Sequence, residues 1–503
     1  FAPTDPAEPA RRIEREIPER QSDVRFNASG SWVISNDDEL NLNGQYTELD
    51  RLEEQTILRT IEGGADVQEA LDIRTVEGSE WELGGDLVNA IGPGQLKTRM
   101  IITREDETDD DIASLVTIVP TSDVLSTRIL TKEKEGETIV RSSYIWPVAV
   151  SQRLEVGLEA AINTLDQSTQ LFERNADGTI IEVPLFNATA SVEEERYESF
   201  LTHFWTLSQR TLLESALNFE WSTIKQEGEI VQLERSFEFL KPRFDLKHDI
   251  NSRDQVRARI ERLVSQLDFS NFVAEFDRDN DQIRGGNPDL VPEKVWRYSA
   301  TYERRLADDK GLVSARLFYD DIEDHIDRIV GPFGFSSAGT IGDAVRYGIE
   351  FKTSFRLEGI GIPGVVIDAT YTTQDTEATD PLSGEQRRIS GEPQHDVEFT
   401  LRHDIPAWRL NYSLDFRWRS KRYQYDTDYI DEQTDESPRM NLITQYQVRD
   451  GLLFYLQLRS LADIDRLTVR QRFDGPRPSS LVGVERRFRS FKQEIIAGFR
   501  GQF

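Results

Sequence analysis

Three carboxylates at every second position, Asp277, Asp279 and Asp281 in "DRDNDQIRGG", have the spacing with which a calcium loop presents its oxygens. Such a loop needs glycine at its sixth position and a bidentate glutamate at its twelfth. Gln282 and Pro288 stand there instead, so no metal site is expected. The acidic stretches "TREDETDDD" (103–111) and "DTDYIDEQTDE" (426–436) read as solvated loops with at most loose affinity for cations. "GIGIPG" (359–364) is a literal G-x-G-x-x-G, but strand-like "VVIDATYT" follows it. The helix N-terminus that would hold a pyrophosphate is missing, and a hairpin turn is the better reading. The histidines, His203, His248, His325, His395 and His403, form neither an H-E-x-x-H pair nor a triad pattern. The sequence offers no catalytic constellation and calls for no cofactor, so an enzyme is not expected.

Cations are the remaining candidates. Arg297, Arg316, Arg356, Arg402, Arg409, Arg417, Arg419 and Arg459 all fall on the non-apolar side of alternating segments. A guanidinium forks onto carboxylate or phosphate, so such a row facing an aqueous lumen could hold an anionic ligand such as a ferric chelate. The plainer expectation is that these arginines are neutralised around the wall by Glu303, Glu350, Glu398 and Asp415, or by a domain seated in the lumen.

The elements that would carry them are strands. In "AWRLNYSLDFRWRS" (407–420), Trp408, Leu410, Tyr412, Leu414, Phe416 and Trp418 alternate with Arg409, Asn411, Ser413, Asp415, Arg417 and Arg419. Side chains on a strand alternate faces, so this is a ribbon with one aromatic and one charged side. The same pattern recurs in "LLESALNFEW", "VWRYSATYE", "YGIEFKTSFRL" and "LFYLQLR". "SRDQVRARIERLVSQLDF" fits helix and strand spacing alike and is read as strand from its neighbours. Tight turns are expected at 307–311, 360–364, 403–407 and 448–451, and long polar connections at 320–346, 374–395, 420–440 and 460–489. Short connections at one end and long ones at the other are the pattern of a transmembrane up-and-down barrel. The aromatic rows, with Trp408, Tyr412, Phe416 and Trp418 among them, are then lipid-facing, and the tryptophans mark the interfaces.

The totals permit this. The chain has 503 residues, 37% of them hydrophobic, and contains no apolar run long enough for a transmembrane helix. The net charge of −31 argues against a nucleic-acid partner. Cysteine is absent, which suits an oxidising compartment. Residues 1–21, rich in proline and charge, read as a tail or linker; the all-β barrel is expected over 22–503.

Two stretches go further. "GGNPDLVPEKVWRYSATYERRL" (285–306) carries Gly286, Asn287, Pro288, Leu290, Pro292 and Glu293 ahead of a strand, a tight turn and a second strand. The chain ends in "FKQEIIAGFRGQF", with Phe499 and the terminal Phe503 on one alternating face. Together these resemble TonB-dependent outer-membrane receptors: the loop that precedes a descending barrel strand, and the terminal signal read by the barrel-assembly machinery. The resemblance implies a barrel of about 22 strands of 9–11 residues each. It further implies outer-membrane localisation in a Gram-negative bacterium, a plug domain, coupling to TonB, and uptake of a scarce nutrient such as a ferric siderophore, cobalamin or a glycan. Residues 1–21 are too few for a plug, so the chain is expected to be the barrel portion, with the plug cut away, on another chain or lost; a passive pore or an adhesion barrel is the alternative, with a soluble all-β binding protein third.

Overall fold

In the computed structural model, residues 2–3, 11–35, 37–61, 67–119, 125–174, 178–185, 188–228, 231–277, 282–331, 334–462 and 464–501 are described. Strands follow one another with antiparallel neighbours. The first ten are β1 (Glu19–Val33), β2 (Glu39–Ile61), β3 (Val67–Ile91), β4 (Gly94–Val119), β5 (Leu125–Ala149), β6 (Gln152–Arg174), β7 (Thr189–Ser208), β8 (Thr211–Gly228), β9 (Gln232–Asp249) and β10 (Asp254–Val264). After a long connection come β11 (Lys294–Arg305), β12 (Gly311–Glu323), β13 (Ala344–Arg356), β14 (Val365–Thr379), β15 (His395–Ile405), β16 (Leu410–Arg419), β17 (Arg439–Arg449), β18 (Leu452–Arg459) and β19 (Glu494–Gly501). They form one sheet of 22 strand segments, three of which (Arg11–Glu16, Ile180–Val183 and Gln386–Arg387) are short flaps.

The wall therefore has nineteen described strands against an expectation of about 22. The cause is strand length: β2 to β5 run 23 to 26 residues, where a membrane crossing needs only about 9–11. Strands of this length have residues to spare beyond a bilayer crossing. For the same reason 103–111 is no loop; it lies inside β4. Nor is 426–436 a loop, since Tyr429–Asp435 is a strand paired with Ile464–Phe473. The polar tail is also shorter than expected. Ala2–Pro3 pairs with Val484 and Gly483, Arg11–Glu16 pairs with β2, and β1 begins at Glu19. The ambiguous stretch after Ser252 is a strand, β10.

Register sorts the two faces. Tyr298 of β11 lies opposite Tyr319 of β12, which lies opposite Tyr347 of β13. One residue along, Arg297, Asp320 and Arg346 form the matching row on the other face. The tyrosine face is exposed, as are Trp221 (51%), Leu317 (56%) and Phe499 (67%). These apolar side chains are not packed between two sheets; they form the outer wall, which in a bilayer meets lipid. The even positions of β16 follow suit: Tyr412, Phe416 and Trp418 pair with His403, Phe399 and Val397 on that face. Trp408 does not. Pro406 has no N–H to offer a ladder and Arg409 takes a left-handed φ of 52°, so Pro406–Trp408 is a turn and β16 starts at Leu410. Trp408 projects from the short-turn end, exposed. Phe499 stands on the outer face of β19 opposite Phe454; Phe503 lies outside the described residues.

The buried apolar clusters lie on the inner face, towards the long-loop end. One joins Leu165, Ala190, Val192 and Ile224 of β6–β8 to Leu267, Phe272, Val273, Leu290 and Ala338 of the long connections. A second caps β11–β14 with Val295, Ile322, Ala344, Ala378 and Ile389.

Candidate functional site: the lumen mouth

The connection from β10 to β11 does not extend outward. Asp268 caps a single helical turn, Phe269–Phe272, by accepting from the Ser270 amide at 3.0 Å. This turn sets Phe272 (2% exposed) against the inner wall. Two wall amides hold it there: Gln226 donates to the Phe272 carbonyl at 2.8 Å and Gln167 to the Ala274 carbonyl at 3.2 Å. Both glutamines are buried.

The signature residues form the returning arm. Gly286 approaches so closely that a Cβ would collide with the Phe272 carbonyl and stand 2.8 Å from the Val273 nitrogen. Asn287 is buried; its amide donates to Asn271 O at 2.8 Å, its side-chain NH2 donates to Ala338 O at 2.8 Å, and its Oδ1 accepts from the Asp289 amide. Pro288 fixes the turn that buries Leu290 (1% exposed), whose carbonyl accepts from Arg235 at 2.8 Å. Pro292 is buried just before Glu293, which closes the base: its amide and carbonyl bond Ser265, and its Oε2 lies 2.6 Å from His325 Nδ1. Thus the loop-before-strand motif is a set of close contacts that folds the connection into the lumen. Asp277 pairs with Arg284, while Asp279 and Asp281 lie outside the described residues.

The arginine row is largely spoken for. Arg297 forks onto Asp320, with Arg346 on the same carboxylate. Arg316 faces Glu350 at 3.3 Å, and Arg402 pairs with Asp368. Arg417 bridges Asp396 and Glu398, Arg419 approaches Asp435 at 4.0 Å, and Arg459 meets Glu494 at 3.1 Å. Arg356 ends β13 beside a turn and Arg409 is itself in a turn; among the described residues neither forms an ion pair. Arg409 is thus off the wall row altogether. Glu350 and Glu398 do act as partners; Asp415 instead accepts from Thr400, and Glu303 meets Arg305.

Two features have no local signal in the sequence. One is a charge clasp at the mouth. Arg387 bonds Asp327 (2.9 Å) and Asp380 (2.8 Å), Arg477 bonds Asp380 (3.0 Å), and both arginines lie over the Tyr425 ring. It joins four connections far apart in the chain, those after β12, β14, β16 and β18. The other is a carboxylate row across β3–β5. Glu80 opposes Glu105, which opposes Glu135, and Glu107 opposes Glu133 in the next row.

An antiparallel wall with an apolar outside, an ion-paired inside, short turns at one end and folded-in connections at the other defines a transmembrane β-barrel. Residues 20–462 match the family described as TonB dependent receptor-like, beta-barrel, and the chain belongs to that family. No curated protein matches it in sequence. Among solved structures it resembles the siderophore receptor PiuA from Acinetobacter baumannii at 10% identity and TM-score 0.62, over 97% of this chain and 81% of that one. It resembles the ferric-catecholate import receptor Fiu from E. coli K12 at 11% and 0.58, over 90% and 78%. The pyoverdine outer membrane receptor FpvA from Pseudomonas aeruginosa PAO1, bound to pyoverdine, follows at 14% and 0.56, over 99% and 79%. These likenesses show a shared fold. The family is one of Gram-negative outer-membrane receptors and transporters that act with TonB on small-molecule ligands, and not of enzymes.

Proposed function

We propose that this barrel serves TonB-energised uptake of a scarce nutrient delivered as a compact complex, with a ferric siderophore the first candidate and cobalamin or a glycan behind it. The observation that carries this is the β10–β11 connection folded across the inner wall, with Phe272 and Leu290 buried against β6–β8. A receptor must close its mouth until the right ligand arrives, and a connection anchored on the inner wall by buried apolar contacts suits that task. In this reading the ligand meets the folded-in loops first. The lumen below accommodates a plug domain, and the plug's TonB-driven movement opens the path. The paired arginines then supply a polar, nearly neutral lining, and Arg356 and Arg409, without an ion pair among the described residues, lie at the end where the plug leaves.

The test is deletion of the gene in its native host, followed by uptake of labelled ferric siderophores, cobalamin and glycans under limitation, with and without TonB. Loss of one uptake activity that also needs TonB is expected. Uptake that continues without TonB would identify a pore, and uptake unchanged by the deletion would reject all of these ligands.

A further inference from the structure

We infer that the edges of β1 and β19 form a seam that takes one further strand, an ascending segment of this same protein upstream of Ala2. The inference rests on the membrane-barrel assignment and not on the uptake reading. Among the described residues β1 pairs only with β2 and β19 only with β18, so each presents an unpaired edge. The connections give the direction of each edge. β1 leads into the tight connection 34–38, and β19 runs antiparallel to β18, which rises from the tight turn at 450–451. Both edge strands therefore run towards the short-turn end. Laid side by side they would pair in parallel, whereas neighbours in the wall are antiparallel. A second copy inserted in the same membrane offers the same two directions and cannot complete the ladder either. Only an odd number of strands fits, and it brings the nineteen described strands to an even total, as single-chain bacterial barrels have.

Both edges have the pattern of membrane strands. β1 sets Val24, Phe26 and Trp32 on the outer face, and β19 sets Ile495 and Phe499 there, all exposed. In hydrocarbon the free amide and carbonyl groups of such edges have no water to bond, so the seam must be filled. Its occupant is already marked at the top. The hairpin of Ile464–Phe473 and Leu481–Phe491 stands on β18 and β19, with Ile464 opposite Phe491 just above Arg459 opposite Glu494. On the free edge of this hairpin Ala2 pairs with Val484 and Pro3 with Gly483, antiparallel, so Ala2–Pro3 ascends along the edge that β19 continues below. Traced backwards from Ala2, the chain descends that edge. At one residue per position, about 17 residues upstream of Ala2 carry the ladder from Val484 down to Gly501. In the forward direction Arg11–Glu16 lies on the β2 edge directly above β1. The ascending segment and β1 are then consecutive antiparallel neighbours like the other strands of the wall, and a single strand suffices.

Photo-cross-linking in the full-length receptor, in its own outer membrane, tests this. p-Benzoylphenylalanine replaces Phe26 or Phe499, a ring for a ring on the outer face beside the seam. Trp32 and Ile495 are the second placements should either variant fail to assemble, which heat-modifiable mobility on gels reports. After irradiation the captured peptides are identified by mass spectrometry. Both probes are expected to capture one and the same peptide of this protein, upstream of Ala2, besides their neighbours on β2 and β18. Capture of β19 from Phe26, of a different strand by each probe, of another polypeptide, or of nothing beyond β2 and β18 overturns the proposal. Uptake does not enter this measurement, so its failure leaves the uptake reading standing.

Discussion

Arg387 and Asp380 meet at 2.8 Å with their side chains only 6% and 2% exposed, and the second oxygen-seeking arm of Arg387 reaches Asp327 at 2.9 Å. Through Asp327, Arg387 ties the β14–β15 connection to the hairpin after β12, and Arg477 adds the last long connection. Removing the guanidinium leaves the buried Asp327 carboxylate with only neutral partners, the Ser390 hydroxyl and the Arg328 amide. Breaking such a pair costs about 3 kcal/mol, which is about a hundredfold in a local opening equilibrium. We expect Arg387→Met to speed amide exchange at Leu382 and Ser383, which donate to Asp380 Oδ1, by that order, with the β11–β14 ladders unaffected. Equal protection in both proteins would show that the clasp does not hold the mouth.

The same clasp should open in acid. Burial pushes the Asp380 carboxyl up, but the Ser383 amide, Arg477 and the Leu382 amide outweigh it and bring it to about 2. A carboxyl depressed by folding contributes stability that is complete above its unfolded value, about 3.9, and is lost as pH falls through its folded value. Exchange at Leu382 and Ser383, corrected for intrinsic rate, should stay protected from pH 7 down to about 4 and lose protection between there and about 2. Loss of protection at pH 6 would point to another group.

Glu133 predicts the opposite sign. It projects inward from the far half of β5, beyond the bilayer, opposite Glu107 and close to Glu105 and Glu135. Burial, then Glu135, Glu107 and Glu105, push its carboxyl up to about 7. Its folded value lies above its unfolded one, so the folded state holds the proton longer and stability falls as pH rises from about 4.5 to about 7. Glu133→Gln should remove this slope and stabilise at pH 8 by on the order of 1 kcal/mol, the lumen water screening the rest. Melting in detergent at pH 5 and pH 8 checks it: the parent should lose more between the two than the variant.

The two faces of the wall respond differently to one substitution. Leu317 is on the outer face at mid-strand, 56% exposed, and a lysine at the bilayer midplane costs about 2–4 kcal/mol. Thr372 is on the inner face of β14 between Glu350 of β13 and Asp396 of β15, where a lysine finds partners. Leu317→Lys should therefore lower assembled receptor in the outer membrane several-fold, while Thr372→Lys assembles as the parent does. The reverse result would place the aromatic rows indoors.

How much of this the sequence shows depends on the range of the interaction. Alternation is local, so the strand faces of 410–419 and the fate of the ambiguous 254–264 stretch were legible. Trp408 and Arg409 were misplaced because Pro406 ends the alternation, which periodicity alone does not register. The acidic stretches 103–111 and 426–436 look like loops because their strands continue past the membrane, where no lipid demands an apolar face. Pairing Arg387 with Asp327, 60 residues away, or Gln167 with Ala274, 107 away, needs the barrel's curvature and has no trace in spacing. The signature loop was visible as residues, but its direction, inward, was not.

Gly286 gives that direction a test. Its backbone conformation is ordinary; what demands glycine is the Phe269–Val273 turn lying against its α-carbon. Alanine there drives a methyl into backbone atoms, which cannot swing aside as a side chain would, so the two arms must separate. Overpacking of this kind costs about 1–3 kcal/mol. It should fall on the hydrogen bond between the Asn287 amide and the Asn271 carbonyl, 2.8 Å in the parent, because that bond joins the arms. Gly286→Ala should therefore raise exchange at the Asn287 amide about tenfold or more, yet leave assembly and the β10–β11 ladder intact. A variant that fails to assemble would instead make the motif a folding signal of the wall.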